Sequence, residues 1–379
     1  MKYSGIEWIG SIPNNWKLNK IGSLFNFRNE KVSDKDFQPL SVSKGGVVLQ
    51  MENVAKSNAS DERKLVLNGD FAINSRSDRK QSCGLSKYDG SVSLINIVLY
   101  QKNKHVIFNN YINYLLKNYG FAEEFYRWGH GIVADLWTTR WQEMKNIMLP
   151  FPSYKTQEKI TNILDEKVSQ LDELINIEKK QIESLNEYKE KVIRETINKE
   201  SGVETKLKYI CNSFNSNISA GSLMNTESKI KVYGASGLAG YSCDENGISA
   251  KYIGIIKDGA GVGKVNIYEK DTLLVGTMAY IIPNDNIDLN WLLYVIKSLD
   301  LGLSIDKTTI PHIYFSEYGN RVINKISYDK QLKVAEYLDK KCYEIDCLIN
   351  IKNLKIEKII EYKKSLIYEY VTGKKEVMS

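Results

Sequence analysis

The sequence predicts an α+β fold in which two globular domains are separated by two long helices that form an antiparallel coiled coil, giving a pseudo-two-fold chain. Three observations lead there. Residues 157–199 lie over residues 331–373 without a gap and match at 17 of 43 positions, far more than two unrelated helices of similar composition would. Each copy carries apolar residues at steps of three and four. Each copy also follows a stretch of mixed strand-like and helical runs punctuated by Gly, Asn and Asp. At 379 residues the chain is long enough for two cores, and 42% hydrophobic content with 24 tyrosines marks a folded protein.

The first domain is expected over 1–152, with strands at Gly69–Ile73 and Ser91–Tyr100, a helix at Ile112–Tyr119, and "LPFPS" (149–153) as its exit. It carries a charge excess of +6, the same as the whole chain, which is compatible with a polyanionic partner. The first helix fills 153–201, free of Pro and Gly from Thr156 to Ser201, with its seam at Leu164, Val168, Leu171, Ile175, Ile182, Leu185 and Val192, interrupted at Glu178 and Lys189. The second domain covers 202–327, with strands at Tyr252–Lys257 and Lys264–Tyr268 and a helix at Trp291–Leu299. The second helix, 328–379, repeats the seam at Leu338, Cys342, Ile345, Ile349, Ile356, Ile359 and Leu366, interrupted at Lys352 and Lys363. Neither helix is stable alone in water, so each seam is expected to cover the other, and antiparallel pairing would make a spacer about 65 Å long. The domain entries also match, with "WKLNKIGSLF" (16–25) laid over "TKLKYICNSF" (205–214).

Catalytic chemistry is missing from the pattern. Five cysteines without a CxxC pair and three dispersed histidines predict neither a disulfide framework nor a metal site. No proline follows Asp, Asn, Ser or another proline, so no [DNS]PP[YFW] loop of an amino-group methyltransferase exists. "KDGAGVGKV" (257–265) fails as a phosphate loop, because Asp258 and Val265 stand where Gly and Ser or Thr are needed and strands flank it on both sides. The triplets Glu187–Lys189 and Glu361–Lys363 fall within the coiled coil, where ion pairs account for them better than a nuclease site. The longest nearly apolar run, Thr272–Ile282, is too short for a membrane span, and "MKYSGIEWIG" lacks the apolar core of a secretory signal, so a cytoplasmic protein is expected.

What remains is polar and basic. "NSRSDRKQS" (74–82) places Arg76, Arg79 and Lys80 among small polar side chains suited to phosphates and base edges. A Thr-Thr pair beside a basic residue occurs in each domain, in "LWTTRW" (136–141, Arg140) and "DKTTIPH" (306–312, Lys307, Thr308, Thr309). Lys257 and Lys264 stand at the feet of the glycine-rich hairpin. All nine are candidate DNA contacts, while solvated loops or docking turns for the helices would explain the same residues.

The helix openings Gln157–Lys167 and Gln331–Lys341, the entry "IEWIGSIPNNWKL" and the block "GDFAINSRSDRKQSCGLSKYDGSVS" resemble the specificity (S) subunit of type I restriction-modification systems, and "YGASGLAGY", "KDGAGVGKV" and "TTIPHI" resemble a target-recognition pattern. The resemblance spans essentially the whole chain. It implies a non-catalytic subunit whose two domains each bind half of a split target in double-stranded DNA. The helices would set the spacing and dock two methylation subunits, with restriction subunits completing the assembly. S-adenosylmethionine, ATP and Mg are then expected on those partners, with no cofactor in this chain. The competing expectation is a coiled-coil scaffold joining two protein-binding domains. Only the DNA reader would bind duplex with an affinity that falls steeply with salt.

Overall fold

The computed structural model describes residues 1–51, 62–131, 137–224, 230–242, 247–259, 261–302 and 311–376. The chain divides into two compact units, Met1–Ile177 with Lys355–Ser379, and Glu178–Leu354.

In the first unit β1 (Lys17–Lys20) leads through a short turn to β2 (Phe25–Arg28). With β3 (Phe71–Asn74), β4 (Cys83–Leu85) and β5 (Asn96–Gln101), β2 makes an antiparallel sheet in the order β4-β3-β5-β2. The single run expected at 91–100 is in fact two strands in different sheets, Gly90–Ser93 and β5, broken at Leu94–Ile95. Helices α1 (Asn109–Lys117) and α2 (Tyr119–Arg127) follow. Their junction is Asn118, whose side chain accepts the Phe121 N–H at 3.0 Å, so the helix expected at 112–119 ends at Lys117 and a second helix, not expected from the sequence, starts at Tyr119. The turn α3 (Trp141–Met144) and β6 (Met148–Phe151), paired antiparallel with β1, bring the chain to the long helix α4 (Tyr154–Lys199). Phe71, Leu99, Tyr111, Ile112, Phe121 and Phe125 form the core together with Ile160 and Leu164 of α4 and Leu366, Tyr370 and Val371 of the C-terminal helix.

The second unit repeats this plan. Its β7 (Val203–Lys206) leads to β8 (Cys211–Asn215), which joins β9 (Tyr252–Ile256), β10 (Val265–Tyr268) and β11 (Met278–Pro283) in the equivalent order β10-β9-β11-β8. Then come α5 (Leu289–Ser298), the turn α6 (Phe315–Tyr318), β12 (Val322–Lys325), paired antiparallel with β7, and the long helix α7 (Tyr328–Val371). The units differ in the smaller sheet beside this frame. It is Gly90–Ser93, Arg63–Val66 and Lys31–Val32 in the first unit, but Gly237–Ser242, Ile230–Gly234 and Thr272–Leu274, with one parallel pairing, in the second.

Within each unit the two long helices run antiparallel. Lys363 Nζ reaches Asp172 at 2.6 Å in the first unit, and Lys189 Nζ reaches Asp346 at 2.6 Å in the second. These are the same repeat positions with the copies exchanged. Lys352 pairs with Glu178, its own counterpart in the repeat, at 3.1 Å. Leu164, Leu338, Ile345 and Ile356 are buried, and Leu171, Ile175, Ile182, Leu185, Ile349 and Ile359 are half-buried.

The identical residues of the repeat also clamp each helix to its globule. Gln157 is fully buried, accepting the Phe108 N–H at 2.9 Å and donating to the Pro152 carbonyl at 3.1 Å. Gln331 is likewise buried, accepting the Asp288 N–H at 2.8 Å and donating to the Ile326 carbonyl at 2.9 Å. Asp165 accepts the Tyr114 hydroxyl at 2.6 Å, and Asp339 the Tyr294 hydroxyl at 2.7 Å.

The domain entries correspond in a different register from the one the sequence match gave. The Ile21 N–H donates to the Ile147 carbonyl and the Leu207 N–H to the Arg321 carbonyl, so Ile21 is equivalent to Leu207, and Phe25 to Cys211. The expected alignment is displaced by three residues, because each entry buries apolar residues three apart, Ile21 with Leu24 and Leu207 with Ile210, and a three-residue slip still matches apolar to apolar.

One strand of the first unit buries two successive cations. Arg63 donates to the Ser91 hydroxyl and carbonyl, both at 2.9 Å. Lys64 donates to the Asn96 carbonyl at 2.6 Å and lies over the Phe27 ring, and burial pushes its pKa down to about 8. Between about pH 8 and the ordinary lysine value near 10.4 the unfolded chain holds a proton that the folded chain does not, so stability should rise with pH across that window. Lys64→Met should flatten this rise, which denaturant unfolding of both proteins at pH 7 to 10.5 will measure; equal slopes would refute it.

Candidate nucleic-acid interface

The "NSRSDRKQS" segment follows β3 directly and folds into a single turn of 3-10 helix, Ser77–Arg79. Arg76, Arg79 and Lys80 are thereby brought together, each beside a carboxylate. Asp78 stands between Arg76 at 3.7 Å and Arg79 at 3.6 Å, and Lys80 pairs with Glu123 at 3.0 Å. Exposed pairs like these are worth roughly 0–1 kcal/mol, so a phosphate or a guanine edge can replace the carboxylate at small cost.

Backbone bonds fix where this turn sits. The Thr139 N–H donates to the Ser75 carbonyl and the Ser77 N–H to the Trp137 carbonyl, making Arg76 and Thr138 directly opposed partners in an antiparallel bridge. His130 bridges Thr138 from the other side. Directly opposed residues of such a ladder share a face, so Arg76, Thr138 and His130 form a row. Thr139, one residue on, is buried and donates to the Phe125 carbonyl at 2.7 Å. Of the two threonines, one is structural and one is displayed. Arg140 is exposed at the start of α3.

The second unit builds the same bridge from different residues. Beyond β9, the Ile313 N–H donates to the Lys257 carbonyl and the Gly259 N–H to the Pro311 carbonyl, which opposes Asp258 to His312. Their side chains meet, with Nδ1 and Oδ1 2.6 Å apart. Gly259 and Gly263 shape the hairpin with φ of +96° and +83°, and Lys257 and Lys264 flank it, Lys264 exposed and Lys257 3.4 Å from the Asn215 amide oxygen. Lys307, Thr308 and Thr309 lie outside the described residues.

The residue equivalent to Thr138 is His312, which the sequence match missed. The pairing of "LWTTRW" with "DKTTIPH" set Thr138 against Thr308, whereas the backbone bonds set Trp137, Thr138 and Thr139 against Pro311, His312 and Ile313. The signal was present in the numbering, since the offset between the two long helices, extended backward, carries Thr138 onto His312.

Burial pushes the thiols of Cys83 and Cys211 up to about 12, as expected of inert core cysteines. Among the described residues no three His, Cys, Asp or Glu side chains come together to hold a metal, and no helix is long and apolar enough to cross a membrane.

No protein-family model and no curated protein matches the sequence. Solved structures do. A chain from a study of complex assembly and conformational transition of the type I R-M system superposes with a TM-score of 0.74 at 13% identity, over 95% of this chain and 98% of that one. The HsdS subunit from Thermoanaerobacter tengcongensis superposes with a TM-score of 0.50 at 14% identity, over 98% of this chain and all of the other. This chain has their fold. At such identity the shared part is the frame of sheets and long helices, and the side chains displayed on it, Arg76 and Thr138 or Asp258 and His312, have to be argued from their own chemistry.

Proposed function

We propose that this chain is the DNA sequence-specificity subunit of a type I restriction-modification complex. Each unit binds one half of a split, asymmetric target in double-stranded DNA, while the paired helices set the spacing and dock two methylation subunits. Restriction subunits complete the assembly, and S-adenosylmethionine, ATP and Mg belong to the partners. The observation carrying this reading is that one folding plan occurs twice, with an equivalent bridge displaying different side chains each time. A reader of an asymmetric sequence needs two unlike faces on a common frame.

Duplex binding tests it. If six to ten phosphates are contacted, affinity should fall by about 10³-fold or more between roughly 50 and 200 mM salt. Methylated adenines mapped in cells carrying this chain and its methylation partner should define a split motif that disappears when the chain is deleted. A chain without duplex affinity, alone or in the complex, refutes the reading and leaves the protein scaffold.

A further inference from the structure

We infer that the bridge residues, Arg76 with Thr138 in the first unit and Asp258 with His312 in the second, are specificity-determining positions that contact bases. The inference rests on the DNA-binding reading above and adds to it the residues that discriminate.

The backbone around both bridges is held in the same way. Two hydrogen bonds flank each opposed pair, from Thr139 and Ser77 in one unit and from Ile313 and Gly259 in the other. Each bridge continues a central strand, β3 or β9, of the four-stranded sheet. Side chains on such a scaffold are held more firmly than on a free loop, and holding them is what direct base readout requires. The pairs are accessible, with side-chain exposures of 40% for Arg76, 29% for Asp258 and 46% for His312.

The chemistry differs between the bridges. Arg76 offers a fork that fits O6 and N7 of guanine, with the Thr138 hydroxyl beside it. In the second unit the Asp258 carboxylate accepts from Nδ1 of His312, and in that tautomer Nε2 is the acceptor left on the ring. Nε2 and the second carboxylate oxygen then suit an exocyclic amine, N6 of adenine or N4 of cytosine. One bridge donates and the other accepts, as expected if the two half-targets differ.

The test is selection of randomised duplexes by the complex of this chain with its methylation partner, using wild type, Arg76→Ala, His312→Ala and His312→Gln. Arg76→Ala should relax preference at one position of one half-target by about tenfold to a hundredfold and leave the other half unchanged. His312→Ala should do the same in the other half, and His312→Gln, whose amide also donates, should change which base is preferred there. Thermal melts identify any variant that loses its fold, and the glutamine variant then carries the test for the second unit. Unchanged preference, or uniform weakening on all sequences, overturns the inference while the wild type's split target leaves the proposed function standing. A wild type selecting no split target overturns the proposed function itself.

Discussion

Replacing Lys352 by Glu is expected to destabilise the unit formed by residues 178–354 by about 3–5 kcal/mol, because it removes the ammonium paired with the buried Glu178 and sets a second carboxylate against it. Glu178 is 5% exposed, more deeply buried than the apolar seam residues Ile175 and Ile182 on either side of it, and Lys352 closes it off at 3.1 Å while donating also to Gln181. The reason lies in the repeat. Two equivalent helices packed antiparallel bring one position against its own counterpart, and here that position is 178 with 352. Had the copies stayed identical there, two like charges would meet in the seam. Divergence to Glu and Lys turned that meeting into an ion pair that only unlike copies can make, so Glu178→Lys should be destabilising too. The double exchange should recover more than half of the loss. Urea unfolding of the four proteins measures this, and a double variant no better than the sum of the singles would show that the two charges do not act as a pair.

Much of this architecture was legible in the sequence, and the limits have a physical origin. The long helices keep one offset throughout, Asp172 to Asp346 and Lys189 to Lys363, so a gapless match found them. The lysines of the two Glu-x-Lys triplets do form ion pairs, although the partner is the aspartate of the opposite copy, which a single helix cannot show. Upstream the offset grows from 174 to 180 between Tyr114 and Tyr294, to 182 between Ser75 and Lys257, and to 186 between Ile21 and Leu207. Each step is a loop of different length. A gapless comparison cannot follow such steps and is three residues out at the domain entries, whereas at the threonine pairs, where the offset is still 174, the recurrence of Thr-Thr itself draws the match four residues out. The bridge escaped for a further reason. It joins segments far apart in the chain, Arg76 with Thr138 and Asp258 with His312, and its side chains differ because a reader of two unlike half-targets has to differ there.

The second large effect is expected at Gln157, where leucine should cost the first unit about 2–5 kcal/mol. The amide is fully buried and uses both of its ends, accepting from the Phe108 N–H just before α1 and donating to the Pro152 carbonyl just before α4. Leucine fills nearly the same volume but strands a buried donor and a buried acceptor, each worth about 1–3 kcal/mol. Glutamate would keep the acceptor end only and add a buried charge, so Gln157→Glu should be worse than Gln157→Leu at neutral pH. Gln331 makes the same two bonds in the second unit, to the Asp288 N–H and the Ile326 carbonyl, and Gln331→Leu should weaken that unit alone. Hydrogen exchange can separate the two, with protection lost around 108–117 in one variant and around 288–298 in the other. Protection lost equally in both units by either variant would mean that Gln157 and Gln331 are not local clamps. An amide satisfies a backbone donor and a backbone acceptor together whatever the pH and without carrying a charge, which explains why both copies open on glutamine although most of the surrounding helix has diverged.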